Sequence, residues 1–157
     1  MTNSPISTKS IARIAAIQAL YQFASASGVD DIHSILIRIK EFYKDADFKS
    51  DHDIESTSKL KLRPSITYLD ELVKYTHDNL DELDEVISKY LTKEWTIDSI
   101  PILLKAVLRV AIAEINYFPE VPKKVILNEY TDIASDMLDE NEVGFVNSML
   151  QTYSNSK

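Results

Sequence analysis

Apolar residues recur along this chain at the spacing of a helix face. The clearest stripe is Leu104, Val107, Leu108, Ala111, Ile112 and Ile115, which advances by threes and fours and so lies on one side of a helix. Pro101 suits the first turn of that helix, where a missing N–H costs nothing, and Pro119 ends it. Pro122 can open the next helix, with the stripe Ile126, Tyr130, Ile133, Ala134, Met137 and Leu138. A last helix carries Val143, Val146, Leu150 and Tyr153, with Gly144 inside it. Glycine there costs about 1 kcal/mol relative to alanine, and close approach of a neighbour or ligand is one reason to tolerate it. Earlier stripes are Ile32, Ile35, Leu36, Ile39 and Tyr43 after a break at Gly28, then Ile66, Leu69, Val73 and Thr76 behind Pro64, then Leu83, Val86, Ile87, Tyr90 and Leu91. The first helix, about Thr8 to Ala24, is apolar over most of its circumference, as a central bundle helix is.

The pattern fails between Asp45 and Leu62, a stretch rich in Asp, Lys, Ser and Thr that reads as a long exposed loop. No segment alternates as a strand, and no internal repeat stands out. The expectation is an all-α domain over residues 1–157. It would have seven helices in two packed groups, an amino-terminal half of about 8–44 and a carboxy-terminal half of about 64–155 joined by the 45–62 loop.

Composition agrees with a packed helical core. The apolar share is 45%, and only 2 glycines and 5 prolines are present, too few glycines for β-hairpins built on tight turns. With 0 cysteines, disulfides, thiol catalysis and thiolate metal sites are excluded. The segment from Met1 to Ser10 lacks the apolar run of a secretory signal. No run of 18 apolar residues occurs, so a cytoplasmic address is expected.

Catalytic chemistry is hard to find. His33, His52 and His77 are too scattered to be metal ligands and read as surface or rim residues. A phosphate-cradling loop needs clustered glycines, and the two here are Gly28 and Gly144. Asp81, Glu82, Asp84 and Glu85 fall on a helical surface and read as a solvated face, with nothing nearby to split their pKa values. The residues point to binding rather than catalysis, with no cofactor and no metal.

The net charge of −8 argues against a broadly basic nucleic-acid footprint. The charge is uneven, however. No carboxylate precedes Asp30, whereas Lys9 and Arg13 do; Lys59, Lys61 and Arg63 form a second basic group. From Asn128 to Glu142 there are six carboxylates and no basic side chain. Any RNA-facing surface must be local, and from charge alone ordinary solvation is the better account of these residues. Lys9 and Arg13 are four apart and share a helix face, followed on the same helix by Gln18, Tyr21 and Gln22. The last helix offers Asn141, Phe145, Asn147 and Ser148. Such a set suits RNA recognition, with cations on phosphates and aromatic or amide groups on unstacked bases. Alternatively, Tyr21 and Phe145 are core aromatics, while Gln18 and Asn147 satisfy helix ends.

Three segments together resemble the NusB family of transcription antitermination factors. They are Ala16-Ile17-Gln18-Ala19-Leu20-Tyr21, then Lys105 to Ile115 followed by Val121-Pro122, Val125 and Asn128-Glu129, and finally Phe145-Val146-Asn147 with Leu150. Each motif is weak alone; in this order and spacing the set is specific. The resemblance implies two three-helix subdomains preceded or linked by a further helix. It also implies binding of boxA-type single-stranded RNA together with the ribosomal protein NusE, and thereby an indirect association with other Nus factors and RNA polymerase on ribosomal RNA operons. No membrane partner is implied. By position, Lys9, Arg13, Gln18, Asn141, Phe145 and Asn147 would face RNA, and Tyr21, Leu104 and Lys105 the protein partner. Arg109, Asn128 and Glu129 would be structural polar residues: a charge on an apolar helix needs a carboxylate or carbonyl partner, and Asn128 would hydrogen-bond in the core. The chain departs from the pattern in its sparse basic arm, where Ser10, Ile11 and Ala12 separate the two cations. It departs again at Leu104, Gly144 and Ser148. Fewer phosphate contacts give a shallower salt dependence, so reliance on the partner should rise. The rival readings are a scaffold of the same fold that has lost RNA binding, which suits the acidic charge, and an RNA methyltransferase, for which the chain leaves no cofactor domain.

Overall fold

The computed structural model describes residues 7–26, 29–53 and 63–157, with side chains as far as Lys44 in the second stretch. Gly28, Lys59, Lys61 and the His52 side chain lie outside the described residues. Among those described there are seven helices and no strand: α1 Thr8–Ser25, α2 Ile32–Asp53, α3 Ile66–Asp78, α4 Leu80–Ser88, α5 Ile102–Tyr117, α6 Lys123–Met137 and α7 Glu140–Asn155. The all-α class expected from the stripes is therefore the observed one.

Helix starts follow local chemistry. Ser7 caps α1 by accepting the Ser10 N–H at 3.0 Å, and Asp31 accepts the Ser34 N–H at 3.0 Å at the head of α2. Pro101 and Pro122 occupy the positions just before α5 and α6, where the extended ψ of the cap and the absent N–H suit a helix entry. α7 opens on a capping box: Asp139 accepts the Glu142 N–H at 2.9 Å while the Glu142 carboxylate accepts the Asp139 N–H at 3.2 Å, which satisfies two orphan donors reciprocally.

Two boundaries differ from the sequence reading. α2 continues to Asp53, into the stretch expected to be loop, because no glycine or proline interrupts residues 32–62 and a helix can outrun its apolar stripe. The regular turns of α4 stop at Ser88; Lys89, Tyr90 and Leu91 then make i→i−3 backbone bonds of 3.0–3.3 Å, the tightened turn common at helix ends.

The chain forms two compact units, residues 1–71 and 72–157. The division falls inside α3, not in the 45–62 segment. In the first unit α1 packs on α2, burying Ile35, Ile39 and Tyr43. The head of α3 joins them: Ser65 N–H donates to the Thr8 carbonyl at 3.0 Å, and Lys40 pairs with Asp70 at 2.6 Å. In the second unit α5 packs against α4, α6 and α7, and every residue from Ala106 to Ile115 is buried. Burying a leucine or isoleucine contributes roughly 1.5–3 kcal/mol, so this helix dominates the unit's core. Its buried Glu114 accepts the Tyr130 hydroxyl at 2.7 Å, and Asn116 accepts that of Tyr153 at 2.8 Å.

Candidate nucleic-acid interface

In the first unit, the start of α1 carries the two cations singled out in the sequence, and they differ in exposure. Lys9 is exposed, with Nζ 5.2 Å from the centroid of the Tyr68 ring. Arg13 lies 5.6 Å from the same centroid and is only 3% exposed. Tyr68 is itself buried, at 6%, and absent from the stripe read for the third helix; its place one residue before Leu69 was the available signal. The Gln18 side-chain oxygen accepts the Tyr43 hydroxyl of α2 at 2.8 Å, so it ties two helices together rather than satisfying a helix end. Burial holds the Tyr43 phenol above its ordinary pKa, against the opposing pull of this bond. Tyr21 is 41% exposed and is no core aromatic.

The second unit holds a cleft of about 230 Å³. Leu91, Trp95, Ile100, Leu104 and Phe145 form its apolar walls, with Thr92, Asn141 and Glu142 completing the lining. The cleft thus gathers Asn141 and Phe145, expected to face RNA, with Leu104, expected to face the protein partner. Trp95 has no precedent in the sequence reading. It is the only tryptophan of the chain, sits in the polar stretch between α4 and α5, and is 47% exposed; an indole in such a stretch was the signal. Lys105 is half-buried and Asn147 exposed; Asn147 accepts the Thr131 hydroxyl at 3.2 Å, across α6 and α7. Gly144 is exposed, and a Cβ there would meet nothing within 4 Å. Close approach of another part of the described protein is therefore not what keeps it glycine.

The three structural polar residues separate. Arg109, 8% exposed, donates through Nε and Nη2 to the two carboxylate oxygens of Asp84 on α4, at 2.8 and 2.7 Å. This fork is the geometry in which guanidinium and carboxylate bind most strongly. Asp84 is consequently not part of a solvated face, although Asp81, Glu82 and Glu85 are exposed. Glu129 is half-buried on α6. Asn128 is exposed, not a core residue: it stands two positions from both Ile126 and Tyr130, which are buried, and two residues carry it about 200° around the helix. Of the histidines, His33 is exposed and His77 half-buried.

The family model described as the NusB family matches residues 10–155. The chain belongs to the NusB family. It is 45% identical to the transcription antitermination protein NusB of Rickettsia bellii (strain OSU 85-389) over 150 residues, 96% of this chain and 92% of that protein. The NusB of Rickettsia akari (strain Hartford) is 43% identical over 158 residues, 100% of this chain and 97% of that one. The solved NusB of T. maritima superposes with a TM-score of 0.71 at 24% identity, covering 98% of this chain and 93% of its own. A chain from a structure of antitermination factors NusB and NusE with double-stranded RNA gives 0.71 at 18% identity, covering 96% and 98%. At those identities the two structures establish a shared fold. Among the described residues no helix is long and apolar enough to cross a membrane.

Proposed function

We propose that this NusB-family protein is an RNA-binding transcription antitermination factor. It binds boxA-type single-stranded RNA jointly with the ribosomal protein NusE and promotes transcription of ribosomal RNA operons, reaching other Nus factors and RNA polymerase through that complex. The observation that carries the reading is identity of 43–45% along essentially the whole chain to proteins named transcription antitermination protein NusB. The site geometry supports it. α1 has no carboxylate anywhere in its sequence and presents an exposed lysine at its amino-terminal end, where the backbone N–H groups also favour an anion. Asn141 and Phe145 offer an amide and an aromatic face to a base beside an apolar cleft.

The test is fluorescence anisotropy of a labelled boxA-type RNA titrated with this protein, with NusE, and with both, at two salt concentrations. Tighter binding by the pair than by either component is expected. No gain on adding NusE refutes the reading. Lys9→Ala should weaken binding and reduce the salt slope by about 0.7, the value for one phosphate contact to a single strand.

A second reading, a NusB-fold scaffold that has lost RNA binding, is favoured by the net charge of −8 and by the burial of Arg13. NusE binding with no RNA affinity, alone or in the pair, selects it.

A further inference from the structure

Lys9 is a long flexible side chain at an exposed position, and such a lysine ordinarily loses rotamer freedom when it grips a phosphate. Here its ammonium lies over the face of Tyr68, the electron-rich side of the ring. That ring is not free to follow the lysine. It is buried, with the Arg13 guanidinium at 5.6 Å from its centroid. Its backbone is set by the head of α3, where the Tyr68 N–H donates to Ser65 Oγ at 3.3 Å. Ser65 in turn donates its N–H to the carbonyl of Thr8, the residue before Lys9. The ring and the start of α1 are therefore fixed to each other through two hydrogen bonds, and the lysine stem bridges a short gap between fixed ends.

We infer that Tyr68 is a positioning residue for RNA binding: its buried ring holds the ammonium of Lys9 in place over the start of α1, ready for a phosphate. The inference rests on the RNA-binding reading above and adds a residue to it. A chain with a run of arginines need not fix any one of them. Lys9 is the one exposed cation of α1 itself, and prior ordering of that cation governs how much of its attraction appears as affinity.

The full-length protein paired with NusE is titrated against the labelled boxA-type RNA in four forms: unaltered, Tyr68→Phe, Tyr68→Leu, and with pentafluorophenylalanine at position 68. The last keeps the shape of phenylalanine and reverses the electrostatic sign of the ring face. Tyr68→Phe should bind within about twofold of the unaltered protein, while Tyr68→Leu and the fluorinated ring bind about three- to tenfold more weakly. Lys9→Ala should cost less in the Tyr68→Leu background than in the unaltered one, since the two changes remove one arrangement. Equal affinity of the fluorinated and phenylalanine forms overturns the inference, as does full additivity of Lys9→Ala with Tyr68→Leu. Should Tyr68→Leu fail to fold, the comparison between the two aromatic rings of equal shape decides. If Lys9→Ala changes nothing in the unaltered protein, the start of α1 is outside the RNA site and the inference falls with it; the RNA-binding reading itself falls only if the pair binds the RNA no more tightly than either component.

Discussion

Removing the Asp84 carboxylate is the sharpest stability test, because the two partners of its ion pair are unequally buried. The Arg109 side chain is 10% exposed and that of Asp84 24%. Asp84→Ala leaves a guanidinium on the buried helix α5 without its bidentate acceptor, and breaking a fully buried pair costs about 3–5 kcal/mol. Partial access of water at Asp84 lowers this to about 2–3 kcal/mol, which for a chain of this size moves the melting midpoint down by roughly 4–12 °C. The reverse change, Arg109→Met, leaves a carboxylate that water already reaches and replaces the arginine stem with an apolar one. It should cost less, about 1 kcal/mol. The double variant Arg109→Met with Asp84→Leu should recover most of the loss, since a buried pair replaced by well-packed apolar groups is often neutral. Thermal unfolding followed by circular dichroism gives all three values. RNA affinity of the folded single variants should be unchanged, since the pair acts as scaffold. Arg109→Met more damaging than Asp84→Ala, or a double variant as unstable as Asp84→Ala alone, refutes the argument; loss of RNA affinity at full foldedness shows that Arg109 serves binding as well as the fold.

Three further outcomes are expected. Gly144→Ala should raise stability by about 0.5–1 kcal/mol, because the added Cβ meets nothing and alanine is the better helix former; a lower melting midpoint contradicts this. The Asp31 carboxyl is held below its ordinary pKa chiefly by the Ser34 backbone N–H and then by the Ser34 hydroxyl. Its capping contribution is therefore complete above the ordinary carboxylate value of about 3.9 and is lost as pH falls through the lowered native value. Asp31→Asn should flatten the acid limb of the stability–pH curve, and an unaltered limb rules that account out. Lys9→Glu should leave stability within about 1 kcal/mol of the original, the gain from an acid in the first helical turn offsetting the lost ring contact, while RNA binding falls; a destabilisation well beyond that range shows that the lysine serves the fold.

What the sequence made legible is what periodicity controls. The stripes of α5, α6 and α7 became buried faces at Leu104, Val107, Ile126, Tyr130, Val146 and Leu150, and the proline positions marked two helix entries. Relations between helices were not legible. Arg109 called for a carboxylate, but the choice of Asp84 among four neighbouring acids follows from how α4 packs on α5. The same holds for Gln18, whose partner Tyr43 is on another helix, and for Tyr68, whose ring matters only because α3 begins beside α1. Asn128 differs from its expected place for another reason: its core role came with the Asn128-Glu129 motif of the resemblance, while burial on a helix follows angle. Trp95 escaped because a residue in a non-periodic stretch carries no facing information of its own.

The start of α1 is where local electrostatics and the fold disagree. Cations near a helix amino terminus oppose its dipole, two of them four residues apart repel, and no carboxylate on α1 relieves either effect. The structure meets the two charges in different ways. Arg13 is withdrawn from solvent against Tyr68, where a guanidinium can stack and remain charged. Lys9 stays exposed, with its ammonium 5.2 Å from the centroid of the same ring. One ring thus separates a cation that belongs to the interior from one that remains available. A residue that is poor for helix stability and yet kept exposed fits recognition of an anion better than any need of the bundle, and a strained local choice of this kind is where function is to be sought.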